Sequence, residues 1–63
     1  MKKKELEKAI AELARSKSVD WIFIGGTKHD KFLFNGVVIM IPRHREIGEM
    51  LSRSILNDCK KAL

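Results

Sequence analysis

The sequence predicts a small α+β domain, a two-layer sandwich with the element order α-β-β-β-α. Amphipathic repeats at both ends of the 63-residue chain enclose a central block rich in aromatic and β-branched residues. An Asn35-Gly36 pair divides that block, as in a tight hairpin. A three-stranded antiparallel sheet with both helices on one face would bury these apolar residues together, so residues 1–63 are expected to form one domain.

The first helix is predicted over residues 3–16. Leu6, Ile10 and Leu13 recur at spacings of four and three residues, and charged side chains occupy the opposite face. The lysine run at residues 2–4 is interpreted as a solvated helix start that adds to the positive field of the chain.

Three strands are predicted over residues 19–24, around 30–34 and over 37–41. Aromatic and β-branched residues dominate the first. Trp21 within it could stack on a base, but an aromatic residue in a strand of so small a domain more often belongs to the core. The second and third strands should pair as a hairpin, because Asn35-Gly36 suits a turn with two positive φ angles.

Alternation along the second strand separates two pairs of side chains. Phe32 and Phe34 share one face and are expected to pack against the helices, so His29 and Lys31 should face outward. For the third strand, the sequence leaves open which alternate set faces the core.

The last helix is predicted from about residue 46 to about residue 61. Its apolar residues fall on one stripe, which comprises Ile47, Met50, Leu51, Ile55 and Cys59. The position of Cys59 on this stripe favours a buried structural thiol.

The charge balance indicates a polyanionic partner. Thirteen Lys and Arg residues against eight Asp and Glu residues give a net charge of +5. Such an excess suits nucleic acid, an acidic protein or a membrane surface. A single cysteine, with no signal peptide and no membrane span, favours a cytoplasmic protein without a membrane partner.

The first candidate site is the segment that ends at His29. Imidazole can accept a proton near neutral pH, so an outward His29 could act as the general base of metal-free RNA cleavage. Gly26 permits a tight turn, and Thr27, Lys28 and Lys31 could contact phosphate. The alternative interpretation is an ordinary surface histidine on a basic strand.

The second candidate site follows Pro42. Arg43, His44 and Arg45 lie in the predicted loop before the last helix and could bind phosphate, although a solvated loop is an equal alternative. No metal is expected, because His29, His44 and Cys59 lack metal-ligand spacing. No cofactor is expected either, since the chain has no P-loop and no dinucleotide fingerprint.

Taken in order along the chain, these segments resemble the HicA-type toxins, the mRNA interferases of toxin–antitoxin pairs. The segments that carry the resemblance are Asp20-Trp21, Gly26-Thr27-Lys28-His29-Asp30-Lys31-Phe32, Ile41-Pro42-Arg43-His44, Glu46-Ile47 and Arg53-Ser54-Ile55-Leu56. Thr27 stands where the family usually has serine, and Lys28 where histidine or asparagine is common. The tail after Leu56 also departs from the family's usual ending.

The resemblance implies a double-stranded-RNA-binding-domain-like fold and metal-independent endoribonuclease activity on mRNA. The family's catalytic histidine falls on His29, and its Pro-Arg-His segment falls on residues 42–44 as a substrate contact. It also implies a cognate HicB-type antitoxin that covers the active surface.

Two other classes of function fit the residues. A non-catalytic module that binds structured RNA would have the same element order and charge. A protein-interaction domain could use the basic face to dock an acidic partner, and its RNA binding would then be weak, without a steep salt dependence.

Overall fold

A computed structural model describes residues 1–63 as two helices and three strands. Helix α1 spans Lys3–Lys17, strands β1, β2 and β3 span Trp21–Gly25, His29–Phe34 and Val37–Pro42, and helix α2 spans Glu49–Lys61. The order is α-β-β-β-α, so the predicted α+β fold class is confirmed. Neither helix combines the length and the hydrophobicity that crossing a bilayer requires.

The sheet is an antiparallel meander with β2 in the centre. Phe32 of β2 lies opposite both Phe23 of β1 and Ile39 of β3, and His29 lies opposite Pro42. The β1–β2 register shifts between Phe23 and Gly25, which marks a β-bulge at the end of β1. The register therefore brings the start of β2 and the end of β3 to the same end of the sheet.

One face of the sheet packs against both helices and forms the core. The expected inward position of Phe32 and Phe34 is confirmed, and on β3 the inward set is Ile39 and Ile41. The core residues from all elements are Leu6, Ile10, Ala14, Phe32, Phe34, Ile39, Ile41, Ile47, Ile55 and Cys59. The opposite face, called here the open face, has no helix over it.

Trp21 lies at the margin of this core and is half-buried. Its ring stacks on Phe32 with the centroids 4.2 Å apart and the planes 7° from parallel, and it meets Phe34 edge-on. An indole in this position contributes apolar area and ring packing to the fold. The interpretation of Trp21 as a packing residue agrees with these contacts.

The last helix begins three residues later than the apolar pattern predicts. Ile47 is buried, but its amide donates to the carbonyl oxygen of Met1 at 2.8 Å, in an extended segment that precedes Gly48. Met50, expected on the buried stripe, is 86% exposed. The stripe prediction is wrong at Met50 and at Leu51, which is 45% exposed. Ile47 is buried as predicted, but it lies before the helix and pairs with the chain start.

The first strand also begins later than predicted, at Trp21. Ser18 has a φ of 55° and caps α1 in the left-handed conformation, and the amide of Val19 still donates to Ala14 of the helix. Val19 therefore belongs to the helix cap rather than to the strand.

Candidate nucleic-acid interface

Residues 25–28 form a turn that requires glycine at one position. Gly26 has a φ of 146°, and a Cβ atom built on it would lie 1.9 Å from the carbonyl oxygen of His29. That distance is far below any tolerable contact, so the turn closes only around a hydrogen atom. Thr27 and Lys28 are exposed at its tip. Strand β2 begins at His29, directly after the turn.

His29 and Lys31 lie on the open face. Both side chains are exposed and alternate with the buried Phe32 and Phe34, as the pattern along β2 predicts. Lys31 lies opposite Met40 of β3. A substrate that approaches the open face would therefore meet an imidazole and an ammonium group on one strand.

Asp30, between these two residues, faces the helix side of the sheet and forms a double ion pair. Its carboxylate accepts a hydrogen bond from Nζ of Lys3 and another from Nε of Arg43, the latter at 2.7 Å. The Lys3 hydrogen bond is the strongest influence and, with that of Arg43, holds the pKa of Asp30 below its usual value against the opposing effect of burial.

Arg43 links the glycine turn to the loop after β3. Besides the bond to Asp30, its Nη2 donates to the carbonyl oxygen of Gly26 at 2.6 Å. Arg43 is predicted from the sequence as a phosphate contact, and in the fold its Nε and Nη2 also hold the turn. Asp30 is not among the site residues predicted from the sequence. A carboxylate on the same strand face as two buried phenylalanines would need a cationic partner, and this pattern is the signal in the sequence.

Beside the loop lies an open cleft of about 600 Å³, called here the cationic cleft. It has no hydrophobic lining, and its residues are Lys2, Lys3, Lys4, Glu7, Arg43, His44 and Arg45. His44 and Arg45, predicted as phosphate contacts, are thus brought together with the lysine run of α1. The sequence alone predicts only a solvated helix start for that run.

The predicted site residues consequently form two groups. Gly26, Thr27, Lys28, His29 and Lys31 belong to the glycine turn and the open face. The residues after Pro42 belong to the cationic cleft beside α1, and Arg43 connects the two groups through its bond to the turn.

The remaining chemically reactive side chain, Cys59, is buried inside the core. Desolvation, with a smaller effect from Asp58, raises the pKa of its thiol to about 11. The thiolate that a nucleophile or a metal ligand needs is therefore strongly disfavoured. No group of three or more His, Cys, Asp or Glu side chains is placed to hold a metal ion.

No protein-family model, curated protein or solved structure matches this chain. The resemblance to HicA-type toxins stays a prediction from the sequence.

Proposed function

We propose that this chain is a metal-independent endoribonuclease that cleaves mRNA in the cytoplasm, as the toxin of a HicA-type toxin–antitoxin pair. The observation that carries the proposal is an exposed His29 fixed directly after a turn that only glycine at position 26 permits. Exposed Lys28 and Lys31 flank it. A general base must reach the proton that it abstracts, and an exposed side chain on a backbone held by the turn favours such access.

The reaction uses the 2′-hydroxyl group of RNA as the nucleophile. His29 takes the proton of that hydroxyl while the 2′-oxygen forms a bond to the adjacent phosphorus. The bond from phosphorus to the 5′-oxygen of the next nucleotide breaks, and the leaving oxygen takes a proton from water. Lys28 and Lys31 stabilise the negative charge on the non-bridging oxygens, and His29 returns its proton to solvent.

The exposed apolar side chains of the open face support the same proposal. Ile22, Val38 and Met40 are each about half exposed on or beside that face, with His29 and Lys31 at one end of it. Apolar patches of this kind mark interfaces with other proteins. A HicB-type antitoxin seated there would shield His29 from RNA.

The antitoxin proposal is tested by co-expression with the product of the adjacent reading frame. Cells that express this chain alone should stop growing, and co-expression should restore their growth. The purified complex should leave RNA intact. A complex that cleaves RNA as fast as the free chain would contradict it.

A second candidate function is RNA binding without cleavage. The cationic cleft supports it, because its five Lys and Arg side chains are gathered there without His29. Stable RNA binding with no product after prolonged incubation would favour this candidate.

The deciding experiment compares RNA cleavage by the wild type and by His29→Ala. We expect the substitution to slow cleavage by roughly 10²–10⁴-fold, the usual contribution of a positioned base. Circular dichroism should be unchanged, because the side chain is exposed and packs in no core. Identical purification makes the variant a control for contaminating nuclease.

Two further arms complete this experiment. His44→Ala, in the cationic cleft, should raise the apparent KM and leave kcat within about tenfold of wild type. EDTA should leave the rate unchanged. Equal cleavage by wild type and His29→Ala would refute the assignment, and loss of activity in EDTA would refute metal independence.

A further inference from the structure

The two walls of the cationic cleft are held together by backbone pairing. The start of the chain runs antiparallel to the loop after β3, with a bridge between Lys2 and Glu46. The amide of Lys3 donates to the carbonyl oxygen of Arg45 at 2.9 Å, and the amide of Ile47 donates to that of Met1 at 2.8 Å. Since Ile47 is anchored in the core, the pairing presents cations from both walls at defined positions.

Three of the cations in this cleft have no acidic partner. Asp30 engages Lys3 and Arg43, whereas Lys2, Lys4 and Arg45 take part in none of the ion pairs of the chain. Lys2, Lys4 and Arg45 are also exposed. They are therefore free to bind an anion.

The position of the lysines is unfavourable for the fold itself. Lys2 is the N-cap of α1 and Lys4 lies in its first turn, at the positive end of the helix dipole. Acidic residues stabilise that end and cations destabilise it. Lys2 and Lys4 have no compensating ion pair, so their placement opposes stability.

The lining of the cleft indicates the class of ligand. It contains no hydrophobic side chain and no Phe, Tyr or Trp, so the exposed imidazole of His44 is the one aromatic ring on which a base could stack. An open groove with several cations along it suits a chain of phosphates better than one enclosed small molecule. We infer that the cationic cleft is a second RNA-binding region, which holds backbone phosphates of the substrate strand beyond the position cleaved at His29. This inference rests on RNA being the substrate, as proposed above.

The test compares two triple variants that remove the same charge. The cleft variant is Lys2→Gln/Lys4→Gln/Arg45→Gln, and the control is Lys17→Gln/Lys60→Gln/Lys61→Gln, whose exposed lysines lie at the far ends of the helices. Binding of a single-stranded RNA oligonucleotide is measured in a His29→Ala background from 50 to 300 mM salt, by fluorescence anisotropy.

We expect the cleft variant to bind at least about tenfold more weakly at the lowest salt. The slope of log K against log salt should become shallower by about 2, since three phosphate contacts are worth about 0.7 each on a single strand. The control should change the slope by less than about 0.7, the value of one phosphate contact. The melting temperature of the cleft variant should be equal to or above that of its parent, an outcome that a structural role for these cations would not give.

Three results would overturn the inference: equal losses in the two triple variants, a slope unchanged in the cleft variant, or no RNA binding by the parent. Its failure is separable from that of the proposed function. RNA binding that depends on the cleft, in a chain that shows no cleavage, would refute the nuclease and keep the binding region. Cleavage that depends on His29, together with RNA binding that is unchanged in the cleft variant, would refute the binding region and keep the nuclease.

Discussion

The two turns at the ends of β2 differ in how closely the backbone packs around their glycines. Asn35 and Gly36, at one end, adopt φ angles of 51° and 81°, and a Cβ atom on Gly36 would meet nothing within 4 Å. Residues 25–28, at the other end, close around a glycine that touches the backbone of His29 and accepts a hydrogen bond from Arg43. The first turn needs positive φ angles but no close approach at its glycine, and Asn35 also donates to the carbonyl oxygens of Asp20 and Ala62. The second needs a close backbone approach at its glycine and lies next to the candidate catalytic histidine.

This difference separates a turn that serves the fold from one that serves the site. A local turn tolerates change as long as positive φ remains accessible. When a turn is held by contacts with distant residues, removal of those contacts displaces the residue that the turn positions, here His29. Substitutions at matched positions of the two turns should therefore have unequal consequences for RNA cleavage.

The largest difference is expected between Gly26→Ala and Gly36→Ala. At Gly36 only the cost of a positive φ applies, about 1 kcal/mol. At Gly26 the new methyl group would collide with the carbonyl oxygen of His29, so we expect a loss of about 3 kcal/mol or more together with the loss of RNA cleavage. Urea unfolding and an RNA-cleavage assay measure the two effects. Similar losses of stability in both variants would show that the close approach at Gly26 is unimportant.

An intermediate effect is expected from Asp30→Asn, which weakens the ion pairs that hold Arg43 against the turn. The pKa of Asp30 is lowered in the folded state, so its ionised carboxylate stabilises the fold above the ordinary aspartate pKa of about 3.9. That contribution is lost as the pH falls through the lower, folded-state value. The stability gap between wild type and Asp30→Asn should thus be full at pH 7 and shrink below about pH 4.

Urea unfolding at a series of pH values from 7 to 3 measures this gap. Asp20→Asn is the matched control, because Asp20 is exposed and has no ion-pair partner. A gap for Asp30→Asn that stays constant over the whole range would contradict the role given to the ion pairs.

The smallest effect is expected from Asn35→Gly. Glycine accepts the positive φ, and the change removes only the exposed hydrogen bond from Nδ2 of Asn35 to the carbonyl oxygen of Ala62. We expect a loss of about 0.5–1 kcal/mol, with RNA cleavage unchanged. Asn35→Ala should cost more because of strain at positive φ. A loss of cleavage in Asn35→Gly would show that this turn is also coupled to the site.

Local chemistry was enough to predict most of the fold. The Asn35-Gly36 turn, the alternation that buries Phe32 and Phe34, and the periodicity of α1 each depend on neighbours in the chain. The start of α2 could not be predicted in this way, because Ile47 fits a helical stripe but is buried by pairing with the chain start. Tertiary context overrode the local pattern there.

The candidate site was less predictable for a similar reason. Residue chemistry alone selects His29 and its lysine neighbours. The bond from Arg43 to Asp30 joins residues 13 apart, and the cationic cleft joins the start of the chain to the loop after β3. Nothing in the local sequence around Lys2 or Lys4 indicates that Arg45 lies across from them.

The edge position of β1 has a consequence for the behaviour of the free chain in solution. Its outer edge has no neighbouring strand, and Ile22, Phe23 and Ile24 are each about half exposed along it. Such an edge is a template for strand addition and aggregation. The net charge of +5 keeps copies apart by repulsion, which salt screens over about 10 Å at 0.1 M. The solubility of the isolated protein should consequently fall as the ionic strength rises.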